Sequence, residues 1–455
     1  MAGLCVWPVS GRSVASSVDD EGGLRGFVHS CGVPAPPMSP DLPTVRAVRI
    51  LHTSDWHLGR SFHRVDLLAA QAQHVDHLVE VVRAERVDVV IVAGDVYDRA
   101  LPGVDAVQLL DETLHRLTGA GASVVLSSGN HDSARRLGFG SRLLERAGVH
   151  VRTDPARVGE PVLLSDRHGQ VAFYPLPYLE PALAADQLGA ERTQAGVLSA
   201  AMAAVRADRA GRPGVRAVVS AHAFVTGGQS SDSERELAVG GLGQVGAGTF
   251  AGVDYVALGH LHGRQQLAPT LRYSGSPLAF SFGEADQRKG SWLVTLGAAG
   301  VEQVESVEAP VPRRLARLRG PLDDLLTQSR FGSAESAWCQ ITLTDPSRPA
   351  EPMERLRRRF AHVLELRLEP DGAPAGAGTG YTTRLAGQGD LEVCCGFLEH
   401  VRQRPAGTDE TLLLQQALEA SLLDRMEGVA ARTGLPAAEL IGADGERAAA
   451  RERTA

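Results

Sequence analysis

The sequence predicts a layered α/β protein with a small α+β domain and a pair of helices appended towards its C-terminal end. Three observations carry that prediction. Apolar runs of strand length alternate with helical stretches between residues 48 and 128. A strand–helix–strand series at 337–368 follows a change of pattern near residue 308. A Gly-, Ala- and Pro-rich stretch within 371–388 then separates two further helical segments.

Taken in order, residues 1–44 are rich in Gly, Pro and Ser and end in the prolines of 34–43. They predict a disordered extension, with Val45 or Val48 as a candidate natural start. Val48-Arg-Ile-Leu-His reads as a buried strand. Leu68, Val75, Leu78, Val79 and Val82 recur at helical spacing and predict a helix over 65–84. Val87–Ala93 reads as a second strand, 104–117 as a helix and 123–128 as a third strand. A hairpin is expected from 162–164 and 171–174, and a helix from 193–206. Strands at 217–221, 254–258, 271–274 and 292–296 complete a first domain over 45–307. The second domain spans 308–370, with strands at 337–343 and 363–368 around a helix at 353–360. After the linker over 371–388, helices at 391–402 and 410–426 form a segment over 389–428, and the tail after it is polar.

Composition narrows the classes. A chain of 455 residues exceeds one small core, so two or three domains are expected. The cysteines, Cys5, Cys31, Cys339, Cys394 and Cys395, show no CxxC spacing, which excludes a zinc ribbon and a secreted disulfide framework. No run approaches the roughly 20 apolar residues that span a bilayer, so no membrane partner and a cytoplasmic site are expected. The formal charge of −8 argues against DNA binding through a global positive field. Lys289 is the only lysine, a bias that fits a GC-rich genome.

Five short motifs carry the chemistry, each closing a predicted strand: Asp55-Trp-His57, Gly94-Asp95-Val-Tyr-Asp98-Arg99, Gly129-Asn130-His131-Asp132, Ser220-Ala-His222 and Gly259-His260-Leu-His262. Asp55 and His57 share a face of extended chain, and His260 and His262 repeat the arrangement. Asp95 follows an apolar strand, where a carboxylate is costly unless paired or metal-bound. Loops at the C-terminal ends of strands converge on one rim of an α/β sheet. Mixed carboxylate, imidazole and amide groups suit manganese, iron or zinc over magnesium and calcium, and their number suffices for two ions. Singly, each motif is more often a turn or a surface histidine; five in series reverse that reading.

The order DxH, GDxxDR, GNHD, H, GHxH resembles the calcineurin-like metallophosphoesterase superfamily. The fuller strings His52-Thr-Ser-Asp-Trp-His-Leu-Gly, Ser220-Ala-His-Ala-Phe and Ala257-Leu-Gly-His-Leu-His-Gly resemble its SbcD branch of nuclease subunits. That resemblance covers about residues 46–425 and implies a layered sheet sandwich with a small capping domain over 308–370. It implies one metal on Asp55, His57 and His262, another on Asn130, His222 and His260, and Asp95 bridging them. His131 would donate a proton to the leaving oxygen, oriented by Asp98 or by Asp132. Two divalent ions, manganese foremost, would activate water for in-line attack on phosphorus. The resemblance further implies exonuclease and endonuclease action on DNA in repair, recombination and replication, within the nucleoid. The implied partner is an SbcC-like, SMC-type ATPase clasped by the C-terminal helices. A homodimer through 65–84 and 104–117 within a heterotetramer is also implied. The rival reading is a phosphoesterase for a small molecule or phosphoprotein.

Remaining candidates are weighed against plain structural roles. His52 and Trp56 are expected to pack, and His63 lies in a loop near the rim. Phe224–Gly241, rich in Gly and Ser, is a candidate cover over the site. Arg355, Arg358 and Arg359, like Arg313, Arg314, Arg317 and Arg319, are expected to be solvated rather than DNA-bound. Leu412–Leu414, Leu418, Leu422 and Leu423 make one helix amphipathic, for its own domain or for a partner.

Overall fold

The computed structural model describes residues 46–234, 243–371, 389–402 and 404–433. The extension over 1–44, the candidate start at Val45, nearly all of the linker and the tail beyond 433 lie outside the described residues. Leaving the shortest elements unlabelled, the chain runs β1 (Val48–Thr53), α1 (Leu68–Glu85), β2 (Val89–Ala93), α2 (Val104–Gly119), β3 (Ser123–Ser127) and β4 (Val149–Arg152). There follow β5 (Val162–Asp166), β6 (Gly169–Pro175), α3 (Pro181–Leu188), α4 (Gln194–Ala210), β7 (Arg216–His222) and β8 (Tyr255–Gly259). Next come β9 (Gln265–Ala268), β10 (Leu271–Tyr273), β11 (Gly290–Gly297) and β12 (Gly300–Glu308).

These strands make two six-stranded sheets, ordered β12-β11-β1-β2-β3-β4 and β9-β10-β8-β7-β6-β5. β1 to β4 run parallel, and the β11–β12 hairpin adds antiparallel to β1. In the other sheet β6, β7, β8 and β10 are parallel, with antiparallel strands at both edges. Side chains alternate across each strand. Val48, Ile50, Val89, Ile91 and Val218 meet between the sheets. Leu51, Val90 and Val92 face outward onto α1 and α2 through Leu78, Val79, Val82, Leu110 and Leu117. Val219 and Ala221 face α4 through Val197, Leu198, Met202 and Val205. Covering both faces explains why the parallel strands read as unbroken apolar runs. Each fully buried Val or Leu contributes about 1.5–3 kcal/mol.

Two polar contacts fix the sheets against each other. His52 on β1 donates from Nε2 to the Leu258 carbonyl at 3.1 Å, so its Nδ1 accepts from the Tyr255 hydroxyl at 3.0 Å. Burial pushes its ring down to about 3, so it stays neutral. At the opposite strand ends Arg216 forks onto Asp166 and donates to the Leu296 carbonyl, while Asp166 also accepts the Val48 amide.

The layered α/β architecture is as the sequence predicts, with local departures. The first helix starts at Leu68 because Ser61–Phe62 and Val65–Asp66 pair as a small hairpin, and Asp66 Oδ1 accepts the Leu68 amide at 2.8 Å. β4, β9, β12 and α3 escaped sequence reading. β12, Gly-Val-Glu-Gln-Val-Glu-Ser-Val-Glu, is a largely exposed edge strand whose charges mask its pattern.

The segment after β12 forms a parallel sheet of β13 (Leu315–Gly320), β14 (Trp338–Leu343) and β15 (Val363–Leu368). α5 (Leu322–Thr327) and α6 (Pro352–Arg357) close its core with Leu325, Ile341, Leu356 and Phe360. The predicted helix over 353–360 thus ends at Arg357, and β13 was not foreseen. Phe62, Phe280 and Phe282 cluster with Leu315 and Trp338, joining this sheet to the sandwich. Two further helices, α7 (Asp390–Arg402) and α8 (Thr408–Thr433), are pinned to each other by Arg402 and Arg404 on Glu410. No helix among the described residues is long and apolar enough to cross a membrane.

Candidate metal centre

Four of the five motifs begin at or within two residues of a strand's end, Ser220-Ala-His222 closes β7 itself, and the rims of the two sheets meet there. The Asp55 and His57 amides donate to the Gly94 and Asp95 carbonyls at 3.1 and 3.0 Å. A Cβ on Gly259 would stand 1.9 Å from the Ala93 carbonyl oxygen, and one on Gly129 would stand 2.1 Å from Asp95 Oδ1. Only glycine permits these approaches. Asp55, His57, Asp95 and His260 all adopt positive φ, at 53°, 44°, 49° and 103°. Non-glycine residues seldom adopt that region, and such strain concentrates at functional sites.

The side chains converge on Asp95. Its Oδ2 lies 3.4 Å from His222 Nε2, 3.5 Å from His57 Nε2 and 3.9 Å from His131 Nε2. His57 and His262 bring their Nε2 atoms within 3.2 Å of each other, and Asn130 Oδ1 lies 2.9 Å from His222 Nε2. Three triads bring one ligand atom each within 4.8 Å: Asp55–His57–His262, His57–Asp95–His131 and Asp55–Asp95–His222. The His260 ring packs on that of His222, with centroids 5.3 Å apart. Ligands at about 2.0–2.1 Å from one ion stand roughly 2.8–3.4 Å apart at octahedral or tetrahedral angles. The His57–His262 nitrogens at 3.2 Å and the His222 nitrogen and Asp95 oxygen at 3.4 Å fall in that range. The residues present, rich in imidazole and carboxylate and free of thiolate, therefore fit two divalent ions side by side.

The surroundings aim these groups. His222 donates from Nδ1 to the Ala93 carbonyl at 3.0 Å, which points Nε2 at Asn130 and Asp95. Asp132 is the clamp of two loops: its carboxylate accepts the Val96, Tyr97 and Gly129 amides at 2.9–3.1 Å. His131 Nδ1 is held by the main-chain carbonyl of Asp98 at 2.8 Å. The sequence expectation sets the Asp98 or Asp132 carboxylate against His131; one partner of its ring is the Asp98 backbone carbonyl. The Asp98 carboxylate lies 3.6 Å from His57 Nδ1 and 3.4 Å from the Arg60 guanidinium.

Electrostatics follow from burial and crowding. Burial alone would lower His222, but the Asp95 carboxylate, then Asp55, push it up to about 9. Conversely, burial outweighs Asp95 at His57 and holds that ring well below its usual range. His260 falls to about 3 through burial and the charge of His222. Burial raises Asp55 to about 6, against the pull of His222 and His262. Asp95 is itself buried, yet His222, His57 and His131 hold it well below the ordinary carboxylate range.

Several contributors were invisible in the motifs. Gln71 on α1 donates to the Trp56 and His57 carbonyls and accepts the Gly59 amide, clamping the first loop. Arg60 lies over the Phe280 ring at 4.6 Å and donates to the Ser233 carbonyl. Glu284 and Lys289 form a buried pair beneath His262. A lone lysine among arginines was a signal available in the sequence. His63 turns away to β15, 3.8 Å from Glu365, and Trp56 packs in the core. Arg355, Arg358 and Arg359 pair with Asp323, Glu354 and Glu335, and Arg317 and Arg319 pair with Asp286 and with Glu369 and Asp371. Of the candidate cover, 235–241 lie outside the described residues.

Residues 48–264 match the calcineurin-like phosphoesterase family, and 311–402 match a domain named SbcD_C and described as the type 5 capsule protein repressor C-terminal domain. Among solved structures, TT1561 of Thermus thermophilus is similar at 13% identity and TM-score 0.33, covering 58% of this chain and 99% of that one. A dimetal phosphatase from Danio rerio is similar at 14% identity and TM-score 0.35, covering 58% and 98%. Over residues 48–264, where the paired Asp and His clusters stand at the meeting rims of two sheets, the chain matches the calcineurin-like phosphoesterase family, which supports a metal-dependent hydrolase.

Proposed function

We propose that this protein is a two-metal DNA nuclease that works with an SbcC-type ATPase. One observation carries the chemistry: a single Asp95 carboxylate oxygen within 3.4–3.9 Å of three imidazole nitrogens, where it can serve two ions at once. In this reading Asp55, His57 and His262 hold one ion, Asn130, His222 and His260 the other, and Asp95 both. Two divalent ions, manganese foremost, would polarise a phosphodiester and lower the pKa of water between them. His131, its Nδ1 held by the Asp98 carbonyl, turns Nε2 towards the reacting centre and donates a proton to the leaving oxygen. The Asp98 carboxylate steadies His57 and Arg60.

The DNA substrate and the ATPase partner are supported by the SbcD_C-named match over 311–402. Phe397 and Val401 on α7 and Leu412 and Leu413 on α8 are more than half exposed, an apolar surface suited to a partner helix. For the homodimer, the exposed apolar residues are Leu101, Val104, Val107, Phe139 and Leu143. The Arg136 guanidinium on the Ala100 carbonyl ties these two stretches together. They favour the start of α2 and the 139–143 segment over α1, whose apolar side chains are buried.

The test is manganese-dependent cleavage of a labelled DNA hairpin by wild type, His131→Ala and Asp95→Ala, with and without the ATPase. Loss in both variants, with metal content kept in His131→Ala, supports the reading. No cleavage with the partner present, beside brisk turnover of a small phosphodiester, would replace it with the rival substrate class.

A further inference from the structure

We propose that Ser233 and Glu284 position His262, acting as a hydroxyl–carboxylate relay that fixes its ring for one of the two metal ions. The inference rests on the two-metal reading above and adds residues that none of the five motifs contains.

His262 Nδ1 meets Ser233 Oγ at 2.5 Å, and the Ser233 hydroxyl in turn meets Glu284 Oε1. A carboxylate only accepts, so the hydroxyl donates to Glu284 and takes the Nδ1–H of His262 on its lone pair. The ring is thereby left with its Nε2 lone pair aimed at the centre, 3.2 Å from His57 Nε2. Carboxylate partners of ligating histidines usually touch the ring directly; here a serine stands between. The other Glu284 oxygen binds Lys289, whose ammonium also donates to the His262 carbonyl at 2.8 Å and to Ser276 Oγ at 3.0 Å. Glu234 accepts the His262 amide at 2.7 Å. Ring, amide and carbonyl of one histidine are thus all held by one buried charge cluster.

Glu284 and Lys289 are 1% and 6% exposed. Burying two charges carries a desolvation penalty that a purely structural pair rarely recovers. Both members converge on His262, from a segment distant from it in sequence. Ser233 and Glu234 come from a third segment, the stretch after β7, and Arg60 holds the Ser233 carbonyl at 3.2 Å. The same contacts therefore fasten that stretch beside the metal centre. Asn130, His222 and His260 take no part in the relay.

The experiment titrates manganese into metal-free wild type, Ser233→Ala, Ser233→Thr and Glu284→Gln, by calorimetry and by electron paramagnetic resonance of the coupled pair. Ser233→Ala should weaken one of the two ions about 10–100-fold, leave the other at wild-type affinity and leave the metal-free melting temperature unchanged. Ser233→Thr, which keeps the hydroxyl, should restore binding. Glu284→Gln should lose the same ion and also melt earlier, because Lys289 is stranded. Wild-type affinity at both ions in Ser233→Ala overturns the relay, as does equal loss of both. Fewer than two ions on the wild type would instead overturn the two-metal reading itself.

Discussion

Protons and metal ions compete for His222, and the competition can be worked through from its surroundings. The ring donates to the Ala93 carbonyl on one side and faces Asn130 and Asp95 on the other. Without metal, the Asp95 and Asp55 carboxylates and the Ala93 carbonyl outweigh burial and keep it protonated up to about 9. At pH 7 about 99% of the rings then carry the extra proton, which an ion must displace. Apparent affinity for the ion at His222 should therefore be about 100-fold weaker at pH 7 than above pH 9, tightening roughly tenfold per unit between. Below about 6, protonation of Asp55 competes with the other ion. The metal-free fold behaves oppositely. A pKa raised above 6.5 gives stabilisation that is fully present below about 6.5 and is lost as pH rises through about 9. The amount is on the order of 3 kcal/mol, shared with Asp95. Calorimetric manganese titrations from pH 6.5 to 8.5, in buffers of different ionisation enthalpy, count the released protons directly. About one proton should leave with the ion at His222, and Asp95→Asn should flatten the dependence while weakening binding. Affinity that is flat over this range, with no proton released, would refute the argument.

Three further outcomes are expected. His131→Ala should lower kcat for DNA cleavage about 10²–10⁴-fold while manganese stoichiometry, measured by elemental analysis, is retained. Gly259→Ala places a methyl 1.9 Å from the Ala93 carbonyl oxygen, so the rims must part. It should lower both the melting temperature and metal content, because strained overpacking typically costs about 1–3 kcal/mol. Arg216→Met strands the Asp166 carboxylate between the sheets and should cost about 3–5 kcal/mol in denaturant unfolding, with the metal ligands untouched.

The strands were legible where burial on both faces made them continuous apolar runs, as in Val89-Val-Ile-Val-Ala. They were illegible where one face met water: β12 reads as a charged loop, and β13 hides Leu315 and Leu318 among arginines. The Asp and His motifs stood out because their residue types are rare at strand ends. What the motifs could not reveal is how those residues are held. Gln71 lies inside an ordinary helical period, and Glu284 and Lys289 lie in a turn-like stretch far from the histidine they serve. Nor could the motifs show that the Asp98 main chain also reaches a histidine: its carbonyl lies 2.8 Å from His131 Nδ1.

Each proposed ion would draw on both sheets, Asp55 and His57 facing His262 on one side, Asn130 facing His222 and His260 on the other. Ions so placed are rivets through a seam. Unfolding from that rim would have to shed metal before the sheets could separate, so chelation should speed the opening of all five strand ends together. The lifetime of the folded chain in the cell would then follow the supply of free metal as closely as its activity does.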